Sequence, residues 1–192
     1  GPGGRSDVSS APKDKKGGGG GSGGGRRGIT QTQKQTRGGR GTIFGYTDRD
    51  RESLARAVES CRPHGTVEEK QAVAWVCRNL ARAAGLAPAD LLARGYASTE
   101  AVPGEESRQV ARAVLAQQES ADPTGGAIDF FCPAEQDYLH LAHQAHRAAV
   151  VAGDAAGDMP AWATAEEVRR DRLSIGLQPY GVVGDVELWG GS

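Results

Sequence analysis

The feature that most constrains the fold is a glycine-rich, basic segment at the start of the chain. The first forty residues contain fourteen glycines, nine of the other residues are Lys or Arg, and Val8 and Ile29 are almost the only apolar side chains. Such a segment cannot bury enough surface to offset the entropy lost on ordering it. We therefore predict a disordered arm or linker over residues 1–46 and a folded domain over residues 47–192.

Charge separates the same two parts of the chain. Residues 1–40 carry nine Lys or Arg against two Asp, a net charge of about +7, although the whole chain has a net charge of -1. The arm is interpreted either as a solvated linker or as a tether for an acidic partner, such as an anionic wall polymer, a nucleic acid or an acidic protein surface. No aromatic residue precedes Phe44, which argues against binding of single strands by base stacking.

The composition of the remainder predicts one core. Hydrophobic residues make up 38% of the chain and aromatic residues 5%, so that core is built mainly from Ala, Val and Leu. No apolar run of about 18 residues predicts a membrane span, and the N-terminus lacks the apolar stretch of a signal peptide. Cys61, Cys77 and Cys132 match neither a zinc nor a redox spacing and are expected to be buried thiols. We expect no metal and no cofactor.

Helix and turn signals alternate after Tyr46. Thr47 or Asp48 is a predicted N-cap, and Thr66 with Glu69 forms a predicted capping box. The expected fold class is α+β, mostly helical, in a single domain with a short β element. The further predicted elements are helices from Pro88, over Glu105 to Gln118, over Pro133 to Val151 and over Thr164 to Arg172, a strand over Ile128 to Phe131, and a hairpin over Tyr180 to Trp189.

One stretch carries a family resemblance. The run Asp122-Pro-Thr-Gly-Gly-Ala127, followed by Phe130-Phe131 and Pro133, resembles the signature of bacterial cell wall hydrolases of the spore cortex-lytic type. In that family the run is followed by an aromatic pair, Asn and Pro. Cys132 stands here in place of the Asn.

Other segments fall in the order of that family. Gln178 stands where the family has a His, and Tyr180 where it has an aromatic residue. The resemblance implies a lysozyme/transglycosylase-like domain that cleaves the glycan strand of peptidoglycan outside the cytoplasm. The similar segments are Leu54 to Arg56, Gln71 to Asn79, Val110 to Gln117, Pro160 to Trp162, and Ile175-Gly176.

The resemblance implies a catalytic glutamate at a position that holds Cys61. Cleavage of a glycosidic bond needs a protonated carboxylic acid, and a thiol with a pKa of about 8.5 is a weak acid for this purpose. The candidate catalytic residues are Glu59, Cys61 and Glu68, with Glu69 in reserve. The function is therefore either that of a glycan-strand hydrolase, with an intact or a degraded active site, or that of a non-catalytic wall-binding or structural component of a larger assembly.

Four residues are candidates for substrate binding: Asp122, Thr124, Phe130 and Trp162. For Asp122 and Thr124 the alternative is that they hold the turn through hydrogen bonds to the backbone. Trp162 is a candidate for the cleft, whereas Trp75 lies in an apolar helix and is expected in the core.

Two other groups of residues are candidates for a functional role. Cys61 with His64 could form a thiol nucleophile and base acting on stem peptides, although a packed thiol is the favoured interpretation. His140, His143 and His146 favour a surface or interface stripe over a metal site. Residues 135–159 look like an insertion relative to the family, which could cover the cleft or contact a partner.

Overall fold

The computed structural model describes residues 45–192, and predictions about residues 1–44 lie outside this part. Over the described residues the chain forms six α-helices and one small sheet, which confirms a mostly helical α+β fold. The elements are α1 (Asp48–Cys61), α2 (Val67–Ala83), α3 (Pro88–Ala93), α4 (Glu105–Ala116), a 3-10 turn (Glu119–Ala121), β1 (Asp129–Phe131), α5 (Pro133–Ala152), α6 (Ala165–Ser174), β2 (Gln178–Val183) and β3 (Val186–Gly190).

The helix starts follow from local capping chemistry. Thr47 Oγ1 accepts a hydrogen bond from the Asp50 backbone N–H, and the Asp50 carboxylate accepts one from the Thr47 N–H. Thr66 and Glu69 repeat this capping box at the start of α2. Each box satisfies backbone donors that the first helical turn leaves without partners. Both predicted N-caps are confirmed.

The core lies between α1, α2 and α4. Leu54 and Val58 of α1 meet Val73 and Val76 of α2, and all four are fully buried. Burial of each such side chain stabilises the fold by about 1.5–3 kcal/mol. Trp75 is also buried in this cluster, as predicted.

A buried arginine joins α2 to the end of α4. Arg78 lies over the rings of Trp75 and Tyr46, at 4.6 and 5.5 Å from the ring centres. It donates hydrogen bonds to the carbonyls of Val114 and Gln117, at 2.6 and 2.7 Å. The guanidinium thereby supplies donors to carbonyl groups at the C-terminal end of α4.

The sheet has the antiparallel order β1-β3-β2. The predicted C-terminal hairpin is confirmed as β2 and β3, and every residue of the central strand β3 is buried. Trp189 is buried within its own chain against Phe131, Ala165 and Val168. The strand register therefore completes a second, smaller apolar cluster.

Two arginines fix α6 onto the sheet. Arg169 makes a bidentate pair with Glu187 of β3, with nitrogen–oxygen distances of 2.8–3.1 Å. Arg172 pairs with Asp129 of β1. Within residues 45–192, no helix combines the length and the apolar character needed to cross a membrane.

Candidate functional site

The end of α1, the start of α2, the start of α5 and the β2–β3 turn converge on one arginine. We define the Arg62 cluster by the residues around it: Cys61, Arg62, Glu69, Cys132, Glu135 and Asp185. The Arg62 guanidinium contacts Glu69 at 2.7 Å, Asp185 at 3.5 Å and Glu135 at 3.8 Å, and it donates to the Cys132 thiol at 3.5 Å. Segments far apart in sequence therefore meet at one cation.

Glu69 is the buried anion of this cluster. Its carboxylate accepts hydrogen bonds from the backbone N–H groups of Thr66 and Asp185 as well as from Arg62. Burial alone raises the pKa of Glu69, but those N–H groups and the Arg62 charge outweigh it, so the pKa is lowered overall. A carboxylate held in its ionised form cannot serve as a proton donor near neutral pH.

Cys61 is part of the same cluster and packs against the main core. Burial raises the pKa of the Cys61 thiol far above its ordinary value, and proximity to Cys77, Cys132 and Glu135 raises it further, against the opposing charge of Arg62. The side chain is therefore a neutral thiol at physiological pH. A thiol nucleophile needs the thiolate form, and His64, its proposed base, is exposed on the turn after α1.

The other two cysteines are also protonated thiols. Burial raises the pKa of Cys132 to about 11 and that of Cys77 to about 12. All three cysteines are free of disulfide bonds. The expectation of buried thiols holds for Cys77 and Cys132, whereas Cys61 is only partly buried.

Glu135 is a carboxyl group of the cluster that sequence reasoning did not single out. It lies in the first turn of α5, and its side chain is 42% exposed. Burial of the rest of the group raises its pKa, and Arg62 opposes that shift. The available sequence signal is its position two residues after Pro133, at the start of residues 135–159, which look like an insertion relative to the family.

Glu59 points elsewhere, to the start of α4. Its carboxylate accepts a hydrogen bond from Ser107 Oγ at 2.7 Å and one from the Gly104 N–H at 3.3 Å, and Lys70 Nζ lies 3.9 Å away. Two residues of separation correspond to about 200° around a helix, which puts Glu59 and Cys61 on different faces of α1. Glu59 acts here as a cap for α4.

Glu68 is exposed in the first turn of α2. Acidic side chains are favourable at that position because they face the positive end of the helix dipole. The structure therefore does not bring the three candidate catalytic residues together: Cys61 is in the Arg62 cluster, Glu59 is at α4, and Glu68 is on the surface.

The glycine-bearing turn is held by its own side chains. Asp122 accepts hydrogen bonds from the backbone N–H groups of Thr124 and Gly126, and Thr124 Oγ1 accepts one from the Ala127 N–H. Gly125 and Gly126 have φ values of +67° and +88°, a region that glycine adopts without strain. These contacts match the turn-holding alternative for Asp122 and Thr124.

Asn79 ties this turn to the helical core. Its side-chain amide donates to Asp122 Oδ2 at 2.8 Å and to the Ala127 carbonyl at 3.0 Å. The family resemblance had pointed to this Asn at the end of the apolar run in α2. Its role in the fold is to hold the turn against α2.

The aromatic candidates divide by burial. Phe130 is buried in the core beside Ala127, so its ring faces are covered. Trp162 is half-buried on the loop between α5 and α6, where its carbonyl accepts a hydrogen bond from His140 Nδ1 at 2.8 Å. Of the two aromatic candidates for substrate binding, Trp162 is the one with accessible surface.

A charged depression of about 200 Å³ lies between α1 and α4, away from the glycine-bearing turn. Its arginines are paired with neighbouring acids: Arg51 with Asp48, Arg108 with Glu52, and Arg112 with Glu105. Sequence reasoning did not anticipate it. The pairing leaves little unbalanced charge for a ligand.

Two of the three histidines of α5 contact the loop that follows the helix. His140 and His146 contact the carbonyls of Trp162 and Gly157. In the part of the chain that the structure describes, no three His, Cys, Asp or Glu side chains are grouped so as to hold a metal ion.

Comparisons with known proteins add no evidence about this site. Comparison of the chain with protein-family models, with curated proteins and with solved structures gives no match.

Proposed function

We propose that residues 45–192 form a lysozyme/transglycosylase-like domain that cleaves the glycan strand of peptidoglycan outside the cytoplasm. The observation that carries the proposal is the position of Glu135. This half-exposed carboxyl group lies in the cluster that also contains Cys61, the residue at the position of the family's glutamate. The ordered resemblance of the Asp122–Ala127 turn and of the segments around it supplies the substrate class.

The required chemistry is protonation of a leaving group. Glu135 donates a proton to the glycosidic oxygen, and the bond from that oxygen to the anomeric carbon breaks. The sugar's own hydroxyl then attacks that carbon, and its proton returns to the Glu135 carboxylate. One carboxyl group thus serves as acid and then as base, as in a lytic transglycosylase.

The surroundings of Glu135 favour both the protonated carboxyl group and the carboxylate that remains after proton transfer. Partial burial raises its pKa, which favours the protonated donor. Arg62 Nη1, at 3.8 Å, stabilises the carboxylate that remains after proton transfer. The chain leads from the turn through β1 directly to Glu135, so the motif and the acid belong to one continuous segment.

A second candidate function is non-catalytic binding of the wall. The observation that favours it is Cys61, which supplies a neutral thiol where the family has a carboxyl group. Such a domain would bind glycan through the same region, with Trp162 as a stacking surface, or act as a structural part of a larger assembly. The basic arm would then tether it to an acidic partner.

Lysis of purified cell walls separates the two functions. We expect the full chain to reduce wall turbidity and release soluble glycan fragments, and Glu135→Gln to lower the rate by about 10²–10⁴-fold, the usual contribution of a general acid. Glu68→Gln, which changes an exposed carboxyl, is the matched control and should keep the rate.

Three outcomes contradict this assignment. Lysis that survives in Glu135→Gln removes the proposed acid, and loss of lysis in Cys61→Ala alone would point to thiol chemistry. Absence of lysis by the unaltered chain, with retained pelleting on walls, supports the binding function. Deletion of residues 1–40 should then weaken the salt dependence of pelleting if the arm is a tether.

A further inference from the structure

Three carboxyl groups share the guanidinium of Arg62. Glu69 Oε2 and Asp185 Oδ2 both face its Nη2, at 2.7 and 3.5 Å, whereas Glu135 Oε2 faces Nη1 at 3.8 Å. A hydrogen bond from a nitrogen to an oxygen spans about 2.7–3.2 Å, so Glu135 lies beyond hydrogen-bond distance of Arg62. The guanidinium is thus closer to the two other anions than to Glu135.

The β2–β3 turn fixes the position of Asp185, although its side chain is 73% exposed. The Asp185 backbone N–H donates to Glu69 Oε2 at 3.1 Å, and the next residue, Val186, is fully buried at the start of β3. The preceding residue, Gly184, lies so close to Glu69 that an added Cβ would be 2.9 Å from that side chain. The turn therefore presents an exposed carboxylate to Arg62 from a defined place.

We propose that Asp185 is a positioning residue for Arg62: its charge holds the guanidinium back from Glu135 and thereby sets the pH at which Glu135 releases its proton. The effect is electrostatic. An arginine that already faces two carboxylates attracts a third less strongly, so the ionised form of Glu135 is stabilised less. A neutral side chain in place of Asp185 leaves more of the Arg62 charge for Glu135.

The titratable and charged groups around Glu135 come from four segments of the chain. The two thiols are neutral because burial raises their pKa values, and Glu69 is held ionised within the fold. Burial raises the pKa of Glu135 and Arg62 opposes that shift, so a change in the charge available on Arg62 acts on this balance. Asp185 is exposed, and its charge can be removed without breaking a buried pair. The groups are Cys61, Arg62, Glu69, Cys132 and Asp185.

The consequence for cleavage rests on the proposed function, in which protonated Glu135 is the acid. Activity then falls on the alkaline side of the pH profile as Glu135 loses its proton. Because Asp185→Asn stabilises the ionised form of Glu135, it should move this alkaline limb to lower pH. The protonation of Glu135 itself can be measured without any wall substrate.

A carbon NMR titration of the full chain, labelled at the side-chain carboxyl carbons of glutamate, tests the proposal. The signal of Glu135 is identified by its absence in Glu135→Gln. We expect Asp185→Asn to lower the titration midpoint of Glu135 by about 0.2–0.7 pH unit at low ionic strength, the size that an exposed ion pair produces. Asp185→Glu keeps the charge and should keep the midpoint. Asp158→Asn, which removes an exposed carboxylate from the loop between α5 and α6, is the matched control and should also keep it.

The outcomes separate this proposal from the proposed function. An unchanged midpoint in Asp185→Asn overturns the proposal, and so does an equal shift in Asp158→Asn, which would reflect net charge alone. A shift confined to Asp185→Asn supports it even where the unaltered chain does not lyse walls, and then only the proposed function fails. Where lysis occurs, its alkaline limb should move with the NMR midpoint. A limb that stays fixed while the midpoint moves would remove Glu135 as the acid.

Discussion

Glu59 and Glu135 lie in two regions that both border the end of α1, and their surroundings differ in what they offer a carboxyl group. Around Glu59, Ser107 and Gly104 donate hydrogen bonds, and the carboxylate caps α4. Around Glu135, partial burial raises the pKa, and half of the side chain remains accessible. Carboxyl groups committed to a helix cap stabilise the fold, whereas a half-buried carboxyl beside an arginine can exchange a proton.

Loss of the buried anion of the Arg62 cluster should give the largest effect on stability. Glu69→Ala removes the nearest anion of Arg62 and the acceptor of the Asp185 backbone N–H, and breaking a buried pair costs about 3–5 kcal/mol. Chemical denaturation measures the free energy of unfolding. The matched variant Glu68→Ala, at an exposed neighbouring site, should change it by less than about 0.5 kcal/mol.

The lowered pKa of Glu69 also predicts the sign of a pH effect. Because the carboxyl binds its proton more weakly in the folded state, its contribution is fully present above the ordinary glutamate value of 4.5 and is lost as the pH falls below it. Glu69→Ala should therefore flatten the acid limb of the stability curve. An unchanged acid limb would mean that other carboxyl groups cause it.

Gly184, in the β2–β3 turn, allows the close contact between this turn and Glu69 to be tested. A Cβ on Gly184 would lie 2.9 Å from the Glu69 side chain, and the residue has a φ of +55°. Gly184→Ala should cost about 1–3 kcal/mol, as strain and collision add. Gly157 has a φ of +88°, and a Cβ there would have no neighbour within 4 Å. Gly157→Ala therefore measures the cost of the backbone strain alone. Equal losses of free energy of unfolding in the two variants would exclude a close fit of the turn on Glu69.

The Glu59 region should respond more weakly, and only in stability. Glu59→Ala removes acceptors from the first turn of α4 and should cost about 0.5–2 kcal/mol, the usual effect of losing a helix cap. The rate of wall lysis, measured well below the melting temperature, should not change. A loss of lysis that exceeds the loss of folded protein would return Glu59 to the list of candidate acids.

The element boundaries were predictable because their causes are local. Thr47 with Asp50, and Thr66 with Glu69, mark helix starts within four residues of sequence, and Gly125 with Gly126 marks a turn by backbone freedom alone. Sequence also indicated that Asp122 and Thr124 can hold that turn. The site was harder to predict, since the hydrogen-bond donors to Glu59, Gly104 and Ser107, lie more than forty residues away in the chain.

The sequence by itself determined where helices, turns and the hairpin lie, because capping, glycine conformation and apolar periodicity act over a few residues. A resemblance spread along the chain is the basis of the substrate class that we propose. Only the tertiary structure decided that Glu59 is held at the start of α4 and that Glu135 stays accessible beside Arg62. Burial and hydrogen-bond partners set the pKa of a side chain, and at Arg62 they come from four segments that meet only when the chain is folded.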